Sequence, residues 1–251
     1  MKVYFIGAGP GDPELLTIKA EKIIKKADIV IYAGSLISQD IIKLAKKAAR
    51  LYDSSGMSLE EVLRVIRRAK PAEKIIARIH SGDPSIYGAI QEQMDWCEKQ
   101  EIDYCVIPGV SSFQAAAASL KQELTLPSVS QTVILTRISG RTKVPAKEDL
   151  QRLAQSRSTM VIFLSIDRID DVIKKIKESY GLNTPVAVVE KVSLPEERII
   201  TGRLGNIAKK IKKAGITRQA LIIIGDVLRK NYQKSRLYDK DFNHMFRKKK
   251  E

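Results

Sequence analysis

Two histidines, His80 and His244, and two cysteines, Cys97 and Cys105, are all that 251 residues offer of the side chains that most often ligate metals or pair as nucleophile and base. A Ser-His-Asp site or a multi-histidine metal centre is hard to build from that stock, and no metal site is expected. The cysteines stand eight residues apart, a spacing that suits neither a zinc motif nor a redox CxxC pair, so both are expected to be reduced, buried thiols. No apolar run approaches the roughly 18 residues that cross a membrane. MKVYFIG runs straight into a strand with no basic-then-apolar leader, so a cytoplasmic location is expected. Aromatics make up only 6% and are not interleaved with basic residues, which leaves no RNA-binding motif outside the C-terminal tail.

Positive charge is in excess. Lysine and arginine number 44 against 29 acids, a net charge of +15, which implies an anionic partner without saying which. Part of it is local, with nine Lys/Arg against three Asp/Glu from Arg229 onward. That tail reads as a solvated terminus or as a grip on nucleic acid. Within it Tyr238, Phe242 and Phe246 recur every four residues around His244, the pattern of a packing stripe. Lys209, Lys210, Lys212 and Lys213 are expected on the wet face of a helix whose apolar positions are Ile207, Ala208 and Ile211.

Two Gly-Asp-Pro steps stand out, in GAGPGDPELLT (Gly7 to Thr17) and in HSGDPSIYGAI (His80 to Ile90), each after an apolar run and before a helix-like one. In each, the aspartate (Asp12, Asp83) is placed to cap a helix and the proline (Pro13, Pro84) to occupy its first position. Turns of this kind lie at the carboxyl ends of parallel strands, where open α/β sheets bind ligands. The ligand is not a dinucleotide of the usual kind: the spacing is GxGxG, Asp12 stands where a third glycine belongs, and no ribose-binding acid follows the second strand, which ends in Tyr32, Ala33, Gly34 and Ser35. A P-loop is also excluded. His80 precedes the second turn and either faces the ligand or is a hydrogen-bonded strand-end residue. Ligand-holding turns without a base, nucleophile or metal set point to chemistry supplied by a reactive cofactor.

Hydrophobic pattern places strands at Val3–Gly7, Asp28–Ala33, Arg50–Tyr52, Lys74–His80 and Tyr104–Ile107, with helices between them such as Ser58–Ala69 and Ser85–Lys99. That is an α/β domain with a mainly parallel sheet. After an alanine-rich helix and a proline-broken stretch come strands at Thr132–Thr136, Met160–Ser165, Val186–Glu190, Arg198–Thr201 and Ala220–Gly225, two of them close enough for a hairpin. The expected organisation is α/β throughout: an N-terminal α/β domain over residues 1–112 and a C-terminal α/β domain with a mixed sheet and the basic tail over residues 113–251.

VYFIGAGPGDPELLT, HSGDPSIYGAI, VIPGVSSFQAAAA, ELTLPSVSQTVILTR and FLS (Phe163–Ser165), in this order, resemble the tetrapyrrole (precorrin) methylases over almost the whole chain. YDSSGMSLEEV and the ending LYDKDF are most similar to the branch that methylates C11 of precorrin-4 or cobalt-precorrin-4. The resemblance implies S-adenosyl-L-methionine in a cleft between two α/β domains, an anionic precorrin substrate in the adjoining trough, and a homodimer. Position by position, it implies cofactor contacts from Pro10, from Ser81, Gly82 and Asp83, from Ile86 on the helix that follows, from Ser111 and Ser112, and from Leu164. Wider relatives often carry a glycine in place of Lys121. Arg137 and Arg141 are expected to meet substrate carboxylates, since a guanidinium grips a carboxylate with two hydrogen bonds. No catalytic residue is assigned. The competing readings are a nucleic-acid-binding protein or RNA methyltransferase using the tail, and a non-catalytic nucleotide-binding module.

Overall fold

A computed structural model describes residues 1–72, 74–140, 142–229, 231–235, 242, 243 and 245. Arg141, His244, Tyr238, Phe246 and most of the basic tail lie outside the described residues. The chain divides into two compact units, Met1–Ala115 with Lys191–Glu196, and Ala116–Glu190 with Glu197–Glu251.

The first unit runs β1 (Lys2–Gly7), α1 (Ile18–Lys26), β2 (Ile29–Tyr32), α2 (Gln39–Ile42), β3 (Arg50–Asp53), α3 (Leu59–Ala69), β4 (Ile75–His80), α4 (Gln91–Lys99), β5 (Asp103–Ile107) and into α5 (Ser112–Ser119). The strands form a parallel sheet in the order β3-β2-β4-β1-β5. Alternation along the central strands divides the core into two layers. Ile6, Val30, Ala77 and Ile79 pack with α1 and α2 on one face, while Val3, Phe5, Ile31 and Ile76 pack with α3 and α4 on the other. α3 owes its start to a capping box, in which the Glu61 amide donates to Ser58 Oγ and the Ser58 amide to Glu61 Oε2 (2.7 Å).

This topology singles out the carboxyl edge beside β1 and β4. The chain leaves β1 toward α1 on one face of the sheet and leaves the adjacent β4 toward α4 on the other. In open α/β sheets, ligands bind at the carboxyl ends of neighbouring strands whose connections leave to opposite faces. Both Gly-Asp-Pro steps stand there.

The second unit continues through β6 (Val133–Arg137), α6 (Leu150–Ala154), β7 (Thr159–Phe163), α7 (Ile169–Tyr180), β8 (Pro185–Glu190), β9 (Arg198–Arg203), α8 (Ile207–Lys213) and β10 (Ala220–Ile224). Its sheet, ordered β6-β7-β10-β8-β9, is mixed: β6 and β7 are parallel and the other pairs antiparallel, with β8 and β9 the anticipated hairpin. Met160, Ile162, Val188, Ile222 and Ile224 pack against Leu150, Ile169, Val172, Ile176, Ile207 and Ile211 of the helices. The lysines of α8 face solvent, as its pattern requires.

Three expectations are corrected. Residues 84–90 are not the start of a helix, and α4 begins only at Gln91. Tyr87 (φ 57°) and Ala89 (φ 49°) are left-handed, and a Cβ on Gly88 would lie 2.1 Å from the Pro84 carbonyl oxygen, so the chain folds tightly back on itself there. The first step likewise opens only a single 3-10 turn, Pro13–Leu15, before Thr17 caps α1. Cys105 is half-buried because β5 is an edge strand, whereas Cys97 is fully buried on α4, its thiol pushed up to about 11 by burial.

Lys121 follows α5 with φ 52°. A left-handed residue with a Cβ is strained, and a glycine at this position would not be. Lys121→Gly is expected to raise stability by about 0.5–1 kcal/mol, read as a higher urea midpoint at unchanged slope.

Candidate cofactor site

Three strand ends of the first unit meet backbone to backbone. The Gly9 amide donates to the Gly82 carbonyl (3.2 Å) and the Gly82 amide to the Gly9 carbonyl (2.7 Å), a two-way bridge between the Gly-Asp-Pro turns. Ala8 N–H donates to the His80 carbonyl (2.8 Å). Gly9 and Gly82 hold φ of 71° and 65°, conformations in which glycine bears no Cβ penalty. The loop after β5 closes on the same point: a Cβ on Gly109 would lie 2.3 Å from the Gly82 carbonyl oxygen, and one on Gly7 2.6 Å from the Gly109 nitrogen.

Asp83 ties these loops together. One carboxylate oxygen accepts from the Ser85 amide (2.8 Å) and hydroxyl, the other from the Gly109 amide (2.9 Å). Burial alone would raise its pKa, but these hydrogen bonds outweigh it and hold the carboxyl below the usual value. Asp83 is therefore an anionic brace for the second turn and the β5 loop, a larger role than the helix cap expected of it. Asp12 caps its short turn by accepting from the Glu14 amide (2.9 Å).

Of the other expected cofactor residues in this unit, Pro10 is buried within the first turn, Ser81 is exposed beside the bridge, and Ile86 is half-buried in the tight turn rather than on a helix. Ser111 is buried and Ser112 begins α5; the Ser111 amide donates to Gln114 Oε1 (3.0 Å), a cap for that helix. The structure thus gathers these residues on the loops after β1, β4 and β5.

In the second unit, Leu164 follows β7 at φ 50° with 71% of its surface exposed. Its left-handed φ is uncommon for a residue with a Cβ. The Arg137 guanidinium donates to the carbonyls of Thr142 (2.9 Å) and Lys143 (3.1 Å), and Arg141 lies outside the described residues.

His80 is only 8% exposed, and its Nε2 has no hydrogen-bond partner. Burial, reinforced by the Arg78 charge, pushes its pKa down to about 3 against a weaker pull upward from a Gly88 backbone contact. The ring is neutral at physiological pH and does not serve there as an acid. Unfolding lets it take up a proton below its ordinary value of 6.5, so its linkage contribution to stability is full above that pH and is lost as pH falls toward about 3. His80→Gln is expected to flatten the fall in unfolding free energy between pH 6.5 and 4, measured by urea denaturation across that range.

Sequence reasoning missed the bracing role of Gly109 and the segment Lys191–Glu196. Ser193 Oγ accepts from the Asp12 amide at 3.0 Å, across 181 residues, and no spacing rule could have paired them. The PGV phrase did mark the Gly109 turn.

The Gly9, Gly82 and Gly109 amides are taken up by the bridge and by Asp83, and the glycines allow the three loops to approach one another closely.

The family model described as tetrapyrrole (corrin/porphyrin) methylases matches residues 2–208. A cobalt-precorrin-4 C(11)-methyltransferase from Methanocaldococcus jannaschii is 54% identical over 249 residues, covering 98% of this chain and 96% of the relative. Among solved structures, a cobalt precorrin-4 methyltransferase described as a cobalamin biosynthetic enzyme superposes with a TM-score of 0.88 at 42% identity, over 90% of this chain and 95% of the other. Uroporphyrin-III C-methyl transferase from Thermus thermophilus, complexed with S-adenyl homocysteine, gives a TM-score of 0.77 at 28% identity over 93% of this chain and 96% of the other. The chain belongs to the tetrapyrrole (corrin/porphyrin) methylase family.

Proposed function

We propose that this protein transfers a methyl group from S-adenosylmethionine to C11 of precorrin-4 or its cobalt form in cobalamin biosynthesis. The observation that carries this reading is the 54% identity, over nearly the full length of both chains, to a cobalt-precorrin-4 C(11)-methyltransferase. The bridged glycine turns supply the physical counterpart. When bound, S-adenosylmethionine presents a methyl on a positively charged sulfur, and transfer needs that methyl held in line with the accepting carbon, away from water. The backbone groups around Gly9, Pro10, Gly82 and Ser111 would hold the cofactor, Asp83 keeps those loops in register, and Leu164 would add an apolar contact. No strong base is required for the transfer itself, which accords with a neutral His80 and the absence of a triad in the sequence.

The substrate class carries acetate and propionate groups, and +15 draws such a polyanion from a distance. Arg141 is proposed to grip one carboxylate, while the Arg137 guanidinium donates to the Thr142 and Lys143 carbonyls. The same reading includes a homodimer and a cytoplasmic location. The names of the relatives disfavour the nucleic-acid alternative.

Calorimetric titration with S-adenosylhomocysteine, alongside salt-dependent binding to RNA, tests the assignment. Stoichiometric binding of the former without saturable RNA binding is expected. A folded protein that ignores S-adenosylhomocysteine would return the turns to an unknown ligand.

A further inference from the structure

We propose that Ser193 is a positioning residue for the cofactor turn, delivered by a strap that the sequence order assigns to the other half of the chain. The segment Lys191–Glu196 joins β8 to β9, strands of the second unit, yet it clusters with the first. It comes to rest on the first Gly-Asp-Pro turn. Ser193 Oγ accepts from the Asp12 amide at 3.0 Å, at the residue whose carboxylate caps Pro13–Leu15. Leu194 packs over Gly11 so closely that a Cβ there would lie 2.6 Å from its Cγ and Cδ2.

The strap holds this shape against its own backbone preferences. Lys191 (φ 47°) and Ser193 (φ 64°) are both left-handed without being glycine, and between them Val192 is buried. A turn bond from the Leu194 amide to the Lys191 carbonyl (3.0 Å) closes the segment. Residues in such conformations persist where their surroundings over-determine them, and they gather at ligand clamps. Here the strained serine aims its hydroxyl at the amide of a turn that otherwise rests on two glycines with positive φ, Gly9 and Gly11. A glycine-rich turn has many conformations to lose, so an external latch that selects one of them lowers the ordering cost of binding.

This inference rests on the cofactor reading above, and its test separates the two. Ser193→Ala removes the acceptor and keeps the Cβ, Ser193→Gly removes the acceptor and relieves the backbone, and Ser193→Asn keeps an acceptor on a residue that tolerates left-handed φ. Two readouts are taken on the full-length protein: calorimetric affinity for S-adenosylhomocysteine, and amide hydrogen exchange over residues 9–16 without ligand. Ala and Gly are both expected to weaken binding about five- to tenfold, the worth of one hydrogen bond that orders the turn, and to speed exchange there, with Asn restoring most of both. Wild-type affinity and exchange in the Ala and Gly variants would overturn the proposal. So would recovery by Gly alone, which would assign the effect to backbone strain instead of the hydroxyl. Should the wild-type protein itself ignore S-adenosylhomocysteine, the cofactor reading falls. The exchange data then decide independently whether Ser193 latches the turn.

Discussion

Gly109→Ala is expected to abolish measurable S-adenosylhomocysteine binding and to lower stability by about 3 kcal/mol or more. The new Cβ would sit 2.3 Å from the Gly82 carbonyl oxygen and 2.8 Å from the Gly7 Cα, and none of these neighbours is the end of a flexible side chain. To admit the methyl group, the β5 loop must move away from both glycine turns and pull the Gly109 amide off Asp83. Gly140→Ala is the control, since a Cβ there meets nothing within 4 Å and should change stability by no more than about 0.5 kcal/mol. Calorimetry and urea denaturation of both variants check the pair. Wild-type affinity in Gly109→Ala would show that the three strand ends do not form the cofactor cradle.

Asp83→Ala is the second large effect. The substitution leaves the Gly109 and Ser85 amides without their carboxylate, and hydrogen bonds to a charged acceptor are worth roughly 1.5–3 kcal/mol each, not additively. A loss of about 3 kcal/mol is expected, with binding of S-adenosylhomocysteine weakened at least a hundredfold because two loops are released together. Asp83→Asn keeps an acceptor and should fall between the two. The sign of the pH dependence follows from the lowered pKa: the carboxylate's contribution is complete above its unfolded value near 3.8 and disappears as pH falls through the still lower folded value. The stability gap between wild type and Asp83→Asn should therefore be constant from pH 7 to 5 and shrink as pH falls below 3.8. A gap unchanged at low pH would mean that the charge of Asp83 does not brace the loops.

The two sheets were legible because their central strands are written as near-continuous apolar runs, such as VYFI and ALIII, each followed by a glycine. The binding edge was legible because the same Gly-Asp-Pro step closes two of them. What escaped the sequence was geometry that periodicity does not encode. SIYGAI continues smoothly into the pattern of α4, and nothing in it reveals that Tyr87 and Ala89 turn left-handed around a Gly88 pressed against Pro84. Asp83 reads as a helix cap because its reach to Gly109 spans 26 residues. Ser193 lies 181 residues from Asp12, and only the fold brings the two together. Cys105 looks like a core thiol until the order of strands places β5 at the edge.

The first measurement to make on the reaction is incubation of the protein with cobalt-precorrin-4, and separately with precorrin-4, in the presence of S-adenosylmethionine carrying a carbon-13 methyl. The expected product carries one labelled methyl on C11, located by carbon NMR, and the substrate that turns over decides whether cobalt is already in the macrocycle. No transfer to either substrate by folded protein that binds S-adenosylhomocysteine, or a label on a different carbon, would contradict the C11 assignment.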